Sequence, residues 1–208
     1  MVFSIFRKSL FLLLFFSFCL KGFGQSLDYR ILQSVHVKRE KSLDLFFYRS
    51  SQSADFVALG YPIGLGIGAI FSKDSSLKWK SLEAGLGLGL AAIFTFGLKQ
   101  TIQRKRPFKV YSDIKPPFPP SSSYSFPSGT SSLAFETATM MALQFRDWKI
   151  WIPAYIWAGT IAYSRMHLGE HYPSDVISGA LLGVGSAWLS FELGKWVNSR
   201  NKKLVPKP

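Results

Sequence analysis

Three short stretches hold the residues whose types and spacing could do chemistry. Lys99 and Arg106 are seven residues apart, two helical turns, so both are expected to project from one face at the end of a helix. Pro107 disfavours helix at Arg106 and should stop it there. Arg104, Lys105 and Lys109 add positive charge. In Pro127-Ser128-Gly129-Thr130, Ser128 is a natural N-cap before an apolar run. The backbone N–H groups of such a helix start bind anions, phosphate included. The third stretch runs Ser164-Arg165, then His171, then Asp175. A carboxylate four residues beyond a His can take one ring N–H and leave the other nitrogen as nucleophile or base. Each stretch alone has a plainer reading: a solvated basic helix end, a capped helix, a structural histidine.

The elements that must position these residues are five apolar segments: Phe56–Ser72, Ala84–Leu98, Ser128–Phe145, Ile150–Ser164 and Val176–Phe191. Several are shorter than the roughly 20 residues of a spanning helix, and Glu136 interrupts the third, so buried helices of a soluble bundle are an alternative. Glycines at four-residue spacing (Gly60/Gly64/Gly68, Gly85/Gly89, Gly179/Gly183) would let helices approach closely in lipid. Trp79, Trp148, Trp151 and Trp196 sit at segment ends, as an interfacial belt would. Five crossings with a short turn at 146–149 bring Lys99, Arg106, Ser128, Arg165, His171 and Asp175 to one side. Cations, a helix N-terminus and a carboxylate-oriented His together make a phosphoryl-binding and phosphoryl-transfer site. Lys and Arg divide almost evenly between the two sides, so charge alone does not set the orientation. The cations on the site's side need another reason to be there.

Composition agrees with that picture. The 208 residues suit one domain with a leader; 48% are hydrophobic and only 18% charged, which excludes extended disorder. Net charge is +13 and mean hydropathy +0.15, a pairing that fits a membrane protein or a handler of anionic substrates better than a nucleic-acid binder. Cys19 is the lone cysteine, which excludes an intrachain disulfide and a Cys-based metal centre. Residues 1–24 have signal-peptide anatomy, with an uncleaved anchor as the alternative. Residues 25–52 alternate basic and apolar residues, as short amphipathic helices on a membrane surface or an exposed helical lead-in would. The expected divisions are leader 1–24, amphipathic segment 25–52, catalytic bundle 53–197 and basic tail 198–208. The expected fold is all-α, a membrane bundle of about five helices.

Lys99 to Pro107 (K-x6-R-P), Pro127 to Gly129 (P-S-G) and Ser164 to Asp175 (S-R-x5-H-x3-D) resemble the three ordered signatures of the type 2 phosphatidic acid phosphatase (PAP2) / vanadium haloperoxidase superfamily. The resemblance implies a metal-free membrane lipid phosphatase or diphosphatase without cofactor, its site facing the periplasm, in a bacterial inner membrane. It implies that Lys99, Arg106 and Arg165 bind the phosphate of a lipid substrate, with the Ser128 and Gly129 backbone helping. His171 would form a phosphohistidine and Asp175 would orient it. Membrane and lipid are the expected partners, and nucleic acid is not one. The sequence departs from the family at Thr130, where the second signature has a proton-donating His. An alcohol leaving group needs that proton far more than a phosphate anion leaving a diphosphate, so a diphosphate substrate is expected. The alternative is a catalytically impaired relative that binds anionic lipid headgroups. His167 is expected to be structural, and Glu136, about 240° around the helix from Thr130, to face elsewhere.

Overall fold

A computed structural model of the chain describes residues 25–204, with side chains from 26 to 197. The expected leader and the side chains of the expected tail lie outside the described residues. Six α-helices follow one another: α1 (Gln25–His36), α2 (Asp44–Ser72), α3 (Ser75–Ile102), α4 (Gly129–Phe145), α5 (Trp148–His167) and α6 (Pro173–Leu204). There is no strand among the described residues. Short 3-10 turns at Lys41–Leu43 and Pro107–Lys109 complete the set. The fold is therefore all-α: α2 to α6 carry the five expected apolar segments, and among the described residues one further helix, α1, precedes them.

The extra helix comes from the 25–52 region, which does not form one amphipathic surface segment. Its first part is α1, whose Asp28, Leu32 and His36 lie on one face and are buried. Leu32 packs on Ile114 and Tyr172, so this face meets protein rather than lipid headgroups. The second part, from Asp44, is the first turn of α2. Asp44 is pulled inward by Arg39 at 2.9 Å and by His167 Nε2 at 2.8 Å. That pairing ties the start of α2 to the end of α5, and it gives His167 a structural task.

Two tight turns set the antiparallel course. Lys73 and Arg146 adopt left-handed conformations that end α2 and α4. Asp74 and Asp147 then cap the next helices, accepting from the N–H of Ser76 at 2.7 Å and of Lys149 at 2.9 Å. Both turns lie at the end opposite the three chemistry-bearing stretches. The core runs through Ala54, Ala134, Ala138 and Ala158, small residues that let α2, α4 and α5 pack closely, with Ile161 filling the space between them. Closest of all is α6 on α4. A Cβ on Gly179 would stand 2.3 Å from Ser128 O, and one on Gly183 would stand 2.2 Å from Ser132 O. Of the other expected glycines, Gly68 meets Leu77 Cδ1 at 3.6 Å, while Gly60, Gly64, Gly85 and Gly89 have nothing within 4 Å among the described residues. On α3 the close approach is made instead by Gly87, beside Glu136. Three stretches, Lys41–Ser72, Ser75–Lys109 and Pro173–Val197, are long and apolar enough to cross a membrane.

Candidate active site

The site forms where the α3–α4 loop, the N-terminus of α4 and the α5–α6 loop meet. α3 ends earlier than its sequence suggests. Gln103 closes the helix in a left-handed conformation, and Arg106 is extended, as the residue before Pro107 should be. Lys99 and Arg106 therefore do not share a helical face. The loop brings Arg106 inward instead, where it is 3% exposed. Its Nε donates to Ser123 O at 2.8 Å and its Nη2 to Ser123 Oγ at 3.1 Å. Its Nη1 lies 3.2 Å from His171 Nε2. Lys99 reaches the same loop and donates to Tyr124 O.

His171 and Asp175 are both fully enclosed. His171 Nδ1 lies 3.5 Å from Asp175 Oδ2, closer to ion-pair than hydrogen-bond range. Burial pushes the His171 imidazole down to about 3; Arg106 and Arg165 push the same way, while Asp175 opposes them. A neutral ring with its proton toward Asp175 leaves a lone pair on Nε2, a tautomer assigned from these neighbours. Asp175 gathers all three stretches. Its Oδ2 accepts from Ser125 Oγ and from Tyr172 N at 3.0 Å, and its Oδ1 accepts from Arg104 Nη1 at 2.7 Å. Its backbone carbonyl accepts from Ser128 N at 3.0 Å.

That last bond changes the anion-facing donors at the start of α4. Ser128 caps the helix, its Oγ accepting from Ser131 N at 3.4 Å, but its own N–H is committed to Asp175. The N–H groups of Gly129 and Thr130 come next and make no hydrogen bond among the described residues. They remain to face an anion, with the helix dipole behind them.

Three residues that sequence reasoning passed over belong here, Glu170, Asp28 and Ser125, and Arg104 joins them. Glu170 Oε2 accepts from Arg106 Nη1 at 2.8 Å and from Arg165 Nη2 at 2.6 Å. Arg104 is more than added charge: it bridges Asp175 to Asp28 of α1 at 2.8 Å and lies 3.9 Å over the Tyr172 ring. Asp28 also accepts from Ser174 N at 3.0 Å. Ser125 completes the set through Asp175. The hint for Glu170 was its place as the one acid between Arg165 and His171. Asp28 gave no hint, because its partners lie far along the chain. Glu136 sits away from these loops, buried beside Gly87.

Residues 80–199, more than half of the chain, match the model of the PAP2 superfamily. The chain belongs to the PAP2 superfamily. Among PAP2 structures, a transmembrane PAP2-type phosphatidylglycerolphosphate phosphatase from Bacillus subtilis superposes with a TM-score of 0.73 at 26% identity, covering 95% of this chain and 98% of that one. LpxE from Aquifex aeolicus gives 0.69 at 27% identity, covering 78% and 93%. The lipid A 4'-phosphatase of Bacteroides thetaiotaomicron is 33% identical over 87 residues, 41% of this chain and 38% of that protein. The undecaprenyl-diphosphatase of Sulfolobus acidocaldarius is 36% identical over 93 residues, 45% and 43%. The match thus spans about two fifths of these two relatives' length.

Proposed function

We propose that this PAP2 protein is a membrane phosphatase that hydrolyses a lipid phosphate or isoprenoid diphosphate through a phosphohistidine on His171. The observation that carries this reading is the 3.2 Å approach of Arg106 Nη1 to His171 Nε2. A phosphoryl group held by Arg106 would lie against the nitrogen that attacks it. Nε2 bonds to phosphorus as the lipid oxygen leaves with the bonding pair. Asp175 stabilises the charge that develops on the ring. Lys99, Arg106, Arg165 and the N–H groups of Gly129 and Thr130 balance the charge on the phosphoryl oxygens. Water then attacks phosphorus, frees phosphate and returns the ring to its starting state. The relatives named as lipid A phosphatase and undecaprenyl-diphosphatase support the substrate class.

Within that class the diphosphate is preferred. Thr130 stands where the family signature has its acid, and a phosphate leaving group departs without one. The bundle 53–197 is the catalytic unit, and α1 braces it through Asp28. The membrane is a bacterial inner membrane. The site faces the periplasm, an orientation that rests on the resemblance to membrane members of the family, since Lys and Arg divide almost evenly between the two ends.

The test is phosphate release from undecaprenyl diphosphate by the detergent-solubilised protein, without added metal, beside His171→Ala. Release that vanishes in the variant is expected. No release above the variant would overturn the hydrolase reading in favour of a protein that binds anionic headgroups without turnover, which Thr130 also permits.

A further inference from the structure

The phosphate cradle carries its own anion. Glu170 is 8% exposed, between Arg106 at 3% and Arg165 at 7%. One oxygen, Oε2, accepts from both guanidinium groups, at 2.8 Å and 2.6 Å. Arg106 has little else to offer an incoming ligand. Ser123 takes its Nε and one N–H of Nη2. Its Nη1 serves Glu170 Oε2 and, at 3.3 Å and 3.2 Å, the Glu170 carbonyl and His171 Nε2. A phosphoryl group close enough for Nε2 to attack must draw on that same Nη1. Glu170 Oε2 therefore occupies the place of a phosphoryl oxygen. Arg165 Nε, buried and without a hydrogen-bond partner, shows that one carboxylate does not satisfy the pair of arginines.

We infer that Glu170 is a specificity-determining residue: a resident carboxylate that a ligand must displace from Arg106 and Arg165, so that the site admits doubly charged terminal phosphates and rejects singly charged phosphodiesters. This deepens the phosphatase reading and rests on it. The exchange is one anion for another on the same donors. The carboxylate is tethered beside them, so it competes at high effective concentration. A monoanion brings no more charge to the arginines than the carboxylate it displaces. A dianion brings about twice the attraction at the same distance and prevails. Discrimination thus comes from a built-in competitor as well as from favourable contacts.

The experiment measures dissociation constants of inorganic phosphate and of dimethyl phosphate at about pH 8, where inorganic phosphate is mainly the dianion. It uses the detergent-solubilised full chain and its Glu170→Gln and Glu170→Ala variants, each checked for an unchanged elution volume. The native chain should bind phosphate and not dimethyl phosphate. Both variants should bind phosphate about tenfold more tightly, the scale of removing one charge-assisted competitor, and should gain dimethyl phosphate binding. Phosphate binding that is unchanged or weaker in both variants would overturn the inference and make Glu170 a brace for the arginines. Tighter phosphate binding without gain of the diester would overturn the charge threshold. If no form of the protein bound phosphate, the phosphatase reading itself would fail, a result distinct from the other two.

Discussion

Thr130 occupies the second residue of α4, with a hydroxyl that cannot protonate an alkoxide at neutral pH. Thr130→His restores an acid to the N-terminal turn that faces the cradle. It is expected to raise hydrolysis of a phosphate monoester by about 10²-fold, the lower end of what general acid catalysis supplies, and to change diphosphate hydrolysis far less. Turnover of phosphatidic acid and undecaprenyl diphosphate by the two proteins measures this; an equal effect on both substrates would remove the leaving-group argument. The individual residues of the site were legible in unequal degree. Arg165 at the end of α5, His171 in the following loop and Asp175 in the first turn of α6 lie within eleven positions, so their spacing brought them together once the other two stretches were read beside them. Glu170 stands in that same loop but takes its meaning from Arg106, 64 positions earlier, and no spacing rule carries that far. Ser128 was visible as a cap, yet the commitment of its N–H to Asp175 depends on how α6 docks on α4.

Helices α4 and α6 meet through Gly179 and Gly183, and their contact carries the Ser128–Asp175 bond. Gly183→Ala would press a methyl group against the Ser132 carbonyl, a backbone atom that cannot step aside. Such overpacking costs on the order of 1–3 kcal/mol. The expected result is a lower melting temperature in detergent and reduced phosphate release. Gly85→Ala meets nothing within 4 Å and should hold or raise stability, by up to about 1 kcal/mol from helix propensity. Equal damage from both substitutions would contradict the packing described. The sequence showed these glycines as the same four-residue pattern. A pattern says that a helix has a small-residue face; it does not say whether another helix lies on it. Helix ends were similarly half visible. Asp74 and Asp147 cap the starts of α3 and α5, a signal the hydropathy reading did not use, whereas the stop at Gln103 has no such marker and is set by the loop that must carry Arg106 inward.

Across the whole molecule, two buried histidines make stability depend on pH. Burial lowers the imidazoles of His36 and His171 below 6.5, the first of them held by His167 O at 2.8 Å. The unfolded chain takes up protons near that value while the folded one does not, so stability is lost as pH falls through 6.5 toward the lowered values. The melting temperature should be lower at about pH 5 than at about pH 7.5. A value unchanged or higher at the acid end would contradict the lowered imidazoles. The all-helical class and the side on which the three stretches meet were legible, because hydropathy and turn length determine them. The role of α1 was not: its amphipathic face suits a protein surface as well as a membrane. That role has a consequence in time. Asp28 meets Ser174 across 146 positions of chain, and Arg104 joins the same knot. A ribosome delivers α1 well before α6, so α1 waits through most of the intervening synthesis for its partner. Contacts of such long range form late. The knot that holds Asp175 in place therefore closes only after α6 has been made.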